Sequence, residues 1–258
     1  MPEYFFPPYP AEHFLRVPPP SSRPYTFRPI SDGAIGAMSS GVQWATIGTL
    51  TTAEDTEYMQ LAGAAAGYPG GYADLFSGEG VTGETNLFGN EGYDHYSMMG
   101  RTVDSTGSTY FQGVGSVGGV ANPQDRLHTV GLSHERADLN TGNYYLIHND
   151  GAGVATRIEL TGLPRNTTDY ARAIRIRKYA DQAVIRVQIW RILTRTSLPQ
   201  LILDTILSTN IPADATGLVI ENYCESGSTA VSQIARYYDV NGWRRNLSSG
   251  LYLRGSEA

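Results

Sequence analysis

Aliphatic and polar side chains alternate most sharply between Tyr170 and Ile192, in the stretch YARAIRIRKYADQAVIRVQIWRI. Ile174 and Ile176 alternate with Arg175 and Arg177. After the polar break Ala180-Asp181-Gln182, Ile185, Val187 and Ile189 alternate with Arg186, Gln188 and Trp190. A period of two sends successive side chains to opposite faces, so the pattern predicts two half-buried strands joined by a turn. The aliphatic face belongs to a core. The other face carries Gln188, one large aromatic, Trp190, and arginines that are expected on the solvent side.

Weaker β-like runs lie at 42–50, 58–62, 109–117, 127–133, 144–148, 154–160, 200–207, 217–223 and 230–240, separated by turn signals such as Asn140-Thr141-Gly142-Asn143. No long segment keeps the 3.6-residue period of a helix. Short strands with frequent turns predict an all-β fold, an antiparallel two-sheet sandwich or jelly roll over residues 31–258. With 41% hydrophobic residues in a 258-residue chain, a sandwich of that size has ample core.

Two stretches break the pattern. Residues 1–30 hold nine of the 14 prolines together with Tyr4, Phe5, Phe6, Tyr9, Phe14, Tyr25 and Phe27. Proline at that density excludes helix and ladder-forming strand, which predicts an extended arm. A stiff arm with seven aromatic rings is suited to docking in a groove on a partner, or alternatively to packing back over its own domain. Residues 63–92 are so rich in glycine that they read as long loops, with Tyr68, Tyr72 and, just beyond, Tyr93 as aromatic candidates for recognition or for covering the sandwich mouth.

The charge is uneven. Residues 1–150 carry six arginines against 16 carboxylates, and no cation lies between Arg28 and Arg101. Such a surface repels a phosphate backbone, so nucleic acid is not an expected partner. Cys224 is the only cysteine, which excludes an internal disulfide and a cysteine zinc site. The five histidines, His13, His95, His128, His134 and His148, lack metal-ligand spacing. No cofactor is expected; Asp74, Glu79, Glu91 and Asp94 could hold a loop-bound Ca²⁺, but the reading preferred for them is solvated loop carboxylates. No apolar run is long enough to span a membrane, and the Met1 end shows no signal-peptide pattern.

The order VIRVQIW, LPQLILDTIL, ADATGLVIENY and ARYYDVNG, within roughly residues 156–243, resembles the end of concanavalin A-like or laminin G-like jelly-roll domains. The resemblance implies two curved sheets with a concave face open to a ligand, and in sugar-binding members aromatics on that face and its rim. Here it points to a ligand face of Trp190, Arg186, Gln188, Tyr68, Tyr72 and Tyr93. Hydrolytic relatives of the fold carry an E-x-D-x-E strand, which this chain lacks; its nearest string is Glu54-Asp55-Thr56-Glu57. No catalytic constellation is found, and the chain is expected not to be an enzyme.

Arm, sandwich and missing signal together suggest a virion structural component, a bacteriophage head decoration protein or a tail or fibre part. It would be made in the host cytoplasm and anchored through residues 1–30 to other virion proteins, with copies of itself and a host-surface glycan as further partners. The alternative is a carbohydrate-binding, lectin-like module.

Overall fold

The computed structural model describes residues 23–27, 42–47, 50–54, 59–63, 71–77, 92–100, 108–115, 127–134, 142–165, 168–178, 182–194, 196–213, 218–226 and 233–245. Every regular element among them is a strand. In chain order these are β1 (Arg23–Phe27), β2 (Val42–Ile47), β3 (Leu50–Glu54), β4 (Met59–Gly63), β5 (Gly71–Ser77), β6 (Gly92–Gly100), β7 (Ser108–Gly115) and β8 (Thr129–His134). They continue with β9 (Asn143–Asn149), β10 (Thr156–Pro164), β11 (Ala171–Lys178), β12 (Ile185–Ile192), β13 (Gln200–Leu207), β14 (Val219–Ser226) and β15 (Gln233–Arg245).

They form two antiparallel sheets. Sheet A runs β13-β12-β11-β6-β15-β4-β3, with β1 also on β15; sheet B runs β10-β9-β8-β7-β14-β5-β2. Alternation places one set of side chains from each sheet between the two. Tyr93, Met99, Ile174, Ile176, Ile185, Val187, Ile189 and Leu207 from sheet A meet Tyr110, Val114, Val130, Leu132, Tyr144, Leu146 and Leu160 from sheet B in one apolar core. The predicted sandwich is present, and β11 and β12 are the predicted strand pair, with Ile174 opposite Ile189 and Ile176 opposite Val187.

Three local expectations are corrected. The glycine-rich stretch 63–92 is not loop throughout, because Gly71–Ser77 is β5, laddered between β14 and β2. Tyr93 and Asp94, read with the glycine-rich loops, lie in β6, which sits between β11 and β15. All nine residues of β6 are buried; a strand covered on both faces shows no polar alternation, and so YDHYSMM gave no strand signal. The last part of the proline-rich stretch is a ladder-forming strand too, since β1 pairs with Asn241–Arg244 and Val240. Pro24 is tolerated there because β1 has a described neighbour on one side only.

Polar groups tie the two sheets together inside the core. The Ser97 hydroxyl on β6 donates to Gln112 Oε1 on β7 at 3.1 Å, and Gln112 Nε2 donates to the Arg172 carbonyl on β11 at 3.3 Å. At the same end, the His134 ring lies between Tyr110 and Tyr144, at centroid distances of 5.5 and 5.0 Å, and the Arg172 guanidinium covers the Tyr144 ring at 4.9 Å. Asp169 completes this polar end, accepting two hydrogen bonds from Arg191 at 2.8 and 3.0 Å with Arg172 3.8 Å away.

A second tie joins the chain after β13 to the β9–β10 hairpin. Asn210, at φ 49°, accepts from the Asp150 amide at 3.0 Å, and its own amide donates to Thr156 Oγ1 at 2.8 Å and toward the Val154 carbonyl at 3.3 Å. Asparagine suits the site twice, because it tolerates a left-handed backbone and offers both a donor and an acceptor. Asn210→Ala loses both, and a drop in unfolding free energy of about 2 kcal/mol is expected. Urea unfolding of the two proteins measures it, and Asn210→Gly, which keeps the backbone freedom, should fall between them.

Burial holds two core imidazoles neutral. It lowers the pKa of His95 to about 3, and that of His134 well below the ordinary value, helped by the charges of Arg165 and Arg172. Below about pH 6.5 the unfolded chain therefore binds protons that the folded protein excludes, and stability falls by about 1.4 kcal/mol per pH unit for each histidine. Between pH 6 and pH 4.5, His95→Gln should show a shallower decline than the unaltered chain, read from urea midpoints at each pH.

Candidate functional site

The outer face of sheet A, turned away from sheet B, carries the residues with recognisable chemistry. Its side chains are those that alternate with the core set: Asp94, Tyr96 and Met98 on β6, Ala171, Ala173, Arg175 and Arg177 on β11, Arg186, Gln188, Trp190 and Ile192 on β12. Tyr96, Met98, Ala171, Ala173, Trp190 and Ile192 pack as a separate apolar cluster, with Tyr170 against it.

Beside that cluster runs a belt of charge across four strands. In register, Tyr96, Arg175, Gln188 and Asp204 form one row, and Asp94, Arg177, Arg186 and Ile206 the next. Arg175 grips Asp94 with two hydrogen bonds, Nε to Oδ1 at 2.7 Å and Nη2 to Oδ2 at 2.5 Å, while Arg177 Nε approaches the same carboxylate at 3.5 Å. At the other end Arg186 donates twice to Asp204, each at 2.9 Å, and Gln188 Nε2 donates to Asp204 Oδ2 at 2.9 Å. The hydrogen bonds from Arg186 hold the Asp204 carboxyl below its ordinary pKa, against the opposing effect of burial; Gln188 and the charges of Arg186 and Arg177 add to the lowering. The carboxylate is therefore ionised at neutral pH.

The two ends differ in access. Asp94, Arg175 and Arg177 are buried, whereas the side chains of Arg186 and Asp204 are 29% and 30% exposed. Leu201 and Ile206, at outer positions of β13, are 53% and 64% exposed. The accessible chemistry is thus a carboxylate, a guanidinium and an amide, fixed against one another and flanked by two aliphatic side chains. Fixed donors and acceptors beside apolar surface suit a ligand that alternates hydroxyl and C–H groups.

Of the residues expected on a ligand face, Arg186 and Gln188 stand there. Trp190 is on the expected face, but it is only 2% exposed and belongs to the apolar cluster, so it supports the face rather than offering a platform. Tyr93 is corrected: it is an inward position of β6 and lies in the core between the sheets. Tyr72 is in β5, opposite Tyr223 and Ile47, with only its backbone described. Tyr68 and the arm residues Tyr4, Phe5, Phe6, Tyr9 and Phe14 lie outside the described residues; Tyr25 and Phe27 are in β1.

Arg175 and Arg177 are not on a solvent side, and Asp94 is no loop carboxylate, because β6 and β11 are buried on both faces. Of the other three carboxylates considered for Ca²⁺, Asp74 is in β5, and Glu79 and Glu91 lie outside the described residues. Asp204 escaped the sequence reading altogether. Its signal was a lone carboxylate in the aliphatic run LILDTIL, which becomes meaningful only when the β12–β13 register sets it opposite Gln188.

The two ion pairs separate in their expected response. Asp94→Asn leaves two buried guanidinium groups around a neutral amide and should cost about 3–5 kcal/mol. Asp204→Asn removes a partly exposed pair and should cost under about 1 kcal/mol. Chemical unfolding of both variants distinguishes them.

No protein-family model matches the sequence, and the search of curated proteins finds no match. Solved structures do resemble it. Lectin UEA-II complexed with galactose aligns at 7% identity over 86% of this chain and 98% of that one, with a TM-score of 0.53. Peanut lectin aligns at 10% identity over 88% and 99%, with a TM-score of 0.51. Alginate lyase A1-II′, of polysaccharide lyase family 7, aligns at 16% identity over 79% and 86%, with a TM-score of 0.49. That last likeness corrects one expectation. The chain was expected not to be an enzyme, and that expectation does not stand beside a structural likeness to a lyase. The likeness to the lectins covers far more than residues 156–243, and the chain has the concanavalin A-like jelly-roll fold.

Proposed function

We propose that the chain binds carbohydrate on the outer face of sheet A, where Arg186, Gln188 and Asp204 supply the polar contacts. The observation that carries this reading is the trio itself. Its members are locked by 2.9 Å hydrogen bonds yet keep part of their surface open beside Leu201 and Ile206. Groups already held in place lose little freedom when a ligand docks, which favours weakly hydrophobic, hydroxyl-rich ligands such as sugars. The likeness to a lectin solved with galactose supports the same reading.

Screening the full chain against a glycan array, and then titrating the best class by calorimetry, tests it. Arg186→Ala and Gln188→Ala should each weaken binding about tenfold, equivalent to about 1.4 kcal/mol. Polysaccharides of the bound class, incubated with the chain and examined for shortened products, show whether binding leads on to cleavage. If no glycan binds, and the chain instead assembles on particles only when residues 1–30 are present, the virion component displaces the sugar-binding module.

A further inference from the structure

Sheet A ends at β13, whose described ladder partner is β12 alone. An edge strand offers a row of backbone donors and acceptors to any strand that arrives, and proteins blunt such edges with charge, proline or bulges. The two edges with described side chains differ sharply here. On β10, the edge of sheet B, Arg157, Glu159 and Pro164 interrupt the strand, and its register shifts between Leu160 and Pro164. β13, QLILDTIL, has no cation and no proline, and its one carboxylate is already held by Arg186 and Gln188. A register shift between Ile189 and Trp190 leaves Leu203–Leu207 evenly paired with β12. Leu198, Leu201 and Ile206, on this strand and its approach, are exposed, a substantial share of the exposed large apolar side chains among the described residues.

We infer that β13 pairs antiparallel with β13 of a second copy of this chain, joining two A sheets across a two-fold axis. The evenly laddered run 203–207 has Thr205 at its midpoint, and an axis there makes the strand its own complement. Thr205 meets Thr205, a favourable cross-strand pair; Leu203 meets Leu207 of the other copy on the core side, and Asp204 meets Ile206 on the outer side. An axis on Asp204 would set two carboxylates opposite one another. The strand's charge is balanced within its own sheet, so it calls for no charged partner, and a second copy satisfies every free backbone group of the run.

Sedimentation velocity of the full chain over a concentration series, without sugar, tests this independently of glycan binding. The unaltered chain should pass from monomer to dimer, and Thr205→Lys, which sets like charges across the axis, should remain monomeric at the concentration where the unaltered chain is half dimeric. Thr205→Cys gives a second readout that does not require the lysine variant to fold. Residues directly opposite in an antiparallel pair lie within disulfide range, so oxidation should link two copies through position 205. The unaltered chain, with only Cys224, is the control and should not link. A chain that stays monomeric across the series overturns the inference. So does a dimer that survives Thr205→Lys while Thr205→Cys fails to cross-link.

Discussion

The carboxylate of Asp94, held by Arg175 and approached by Arg177, is the interaction on which sheet A depends. It joins β6 to β11 at the middle of the sheet, where both strands are buried on both faces. Charges so placed are costly unless they are paired with good geometry, because each has given up its water. Two hydrogen bonds from one guanidinium meet that condition. The pair adds little to stability over an apolar substitute of the same shape, but it strongly penalises any other arrangement, since a slip of one residue in either strand would strand a buried charge.

From that anchor the belt passes outward, through Arg177 and Arg186 to Asp204, and from burial into partial exposure. The same types of group change their role along the way. At β6 and β11 they fix register; at β12 and β13 they remain fixed but face solvent, where a ligand can share their hydrogen bonds. Trp190 and its apolar neighbours lie beside this transition on the same face and pack as a buried cluster. The core side has its own polar restraint in the Ser97–Gln112–Arg172 bridge, which links the two sheets directly.

How much of this was legible in the residues follows from burial. β11 and β12 were read correctly as a strand pair because Ile185, Val187 and Ile189 of β12 are buried while Arg186 and Gln188 between them are not. β11 was found through its aliphatic positions alone, and its arginines were assigned to solvent because nothing in ARAIRIRK shows that both faces are covered. β6 failed as a strand for the same reason: its partners come from Ala171–Lys178 and from β15, both far along the chain, and a strand whose two faces are both covered has no outward pattern to read. The ligand face was half legible. Arg186 and Gln188 follow from period two on one strand, whereas Asp204 enters by register with the next.

The central claim is that sugar meets the chain at the β12–β13 end of the belt. Nuclear magnetic resonance of the labelled full chain, titrated with the glycan class it binds best, addresses that directly. The account predicts shifts in the side-chain signals of Arg186 and Gln188 and in backbone amides of β12 and β13, with the core imidazole of His134 unmoved. Perturbations confined to other strands or to the loops at the sandwich ends, with Arg186 and Gln188 unchanged, would contradict it.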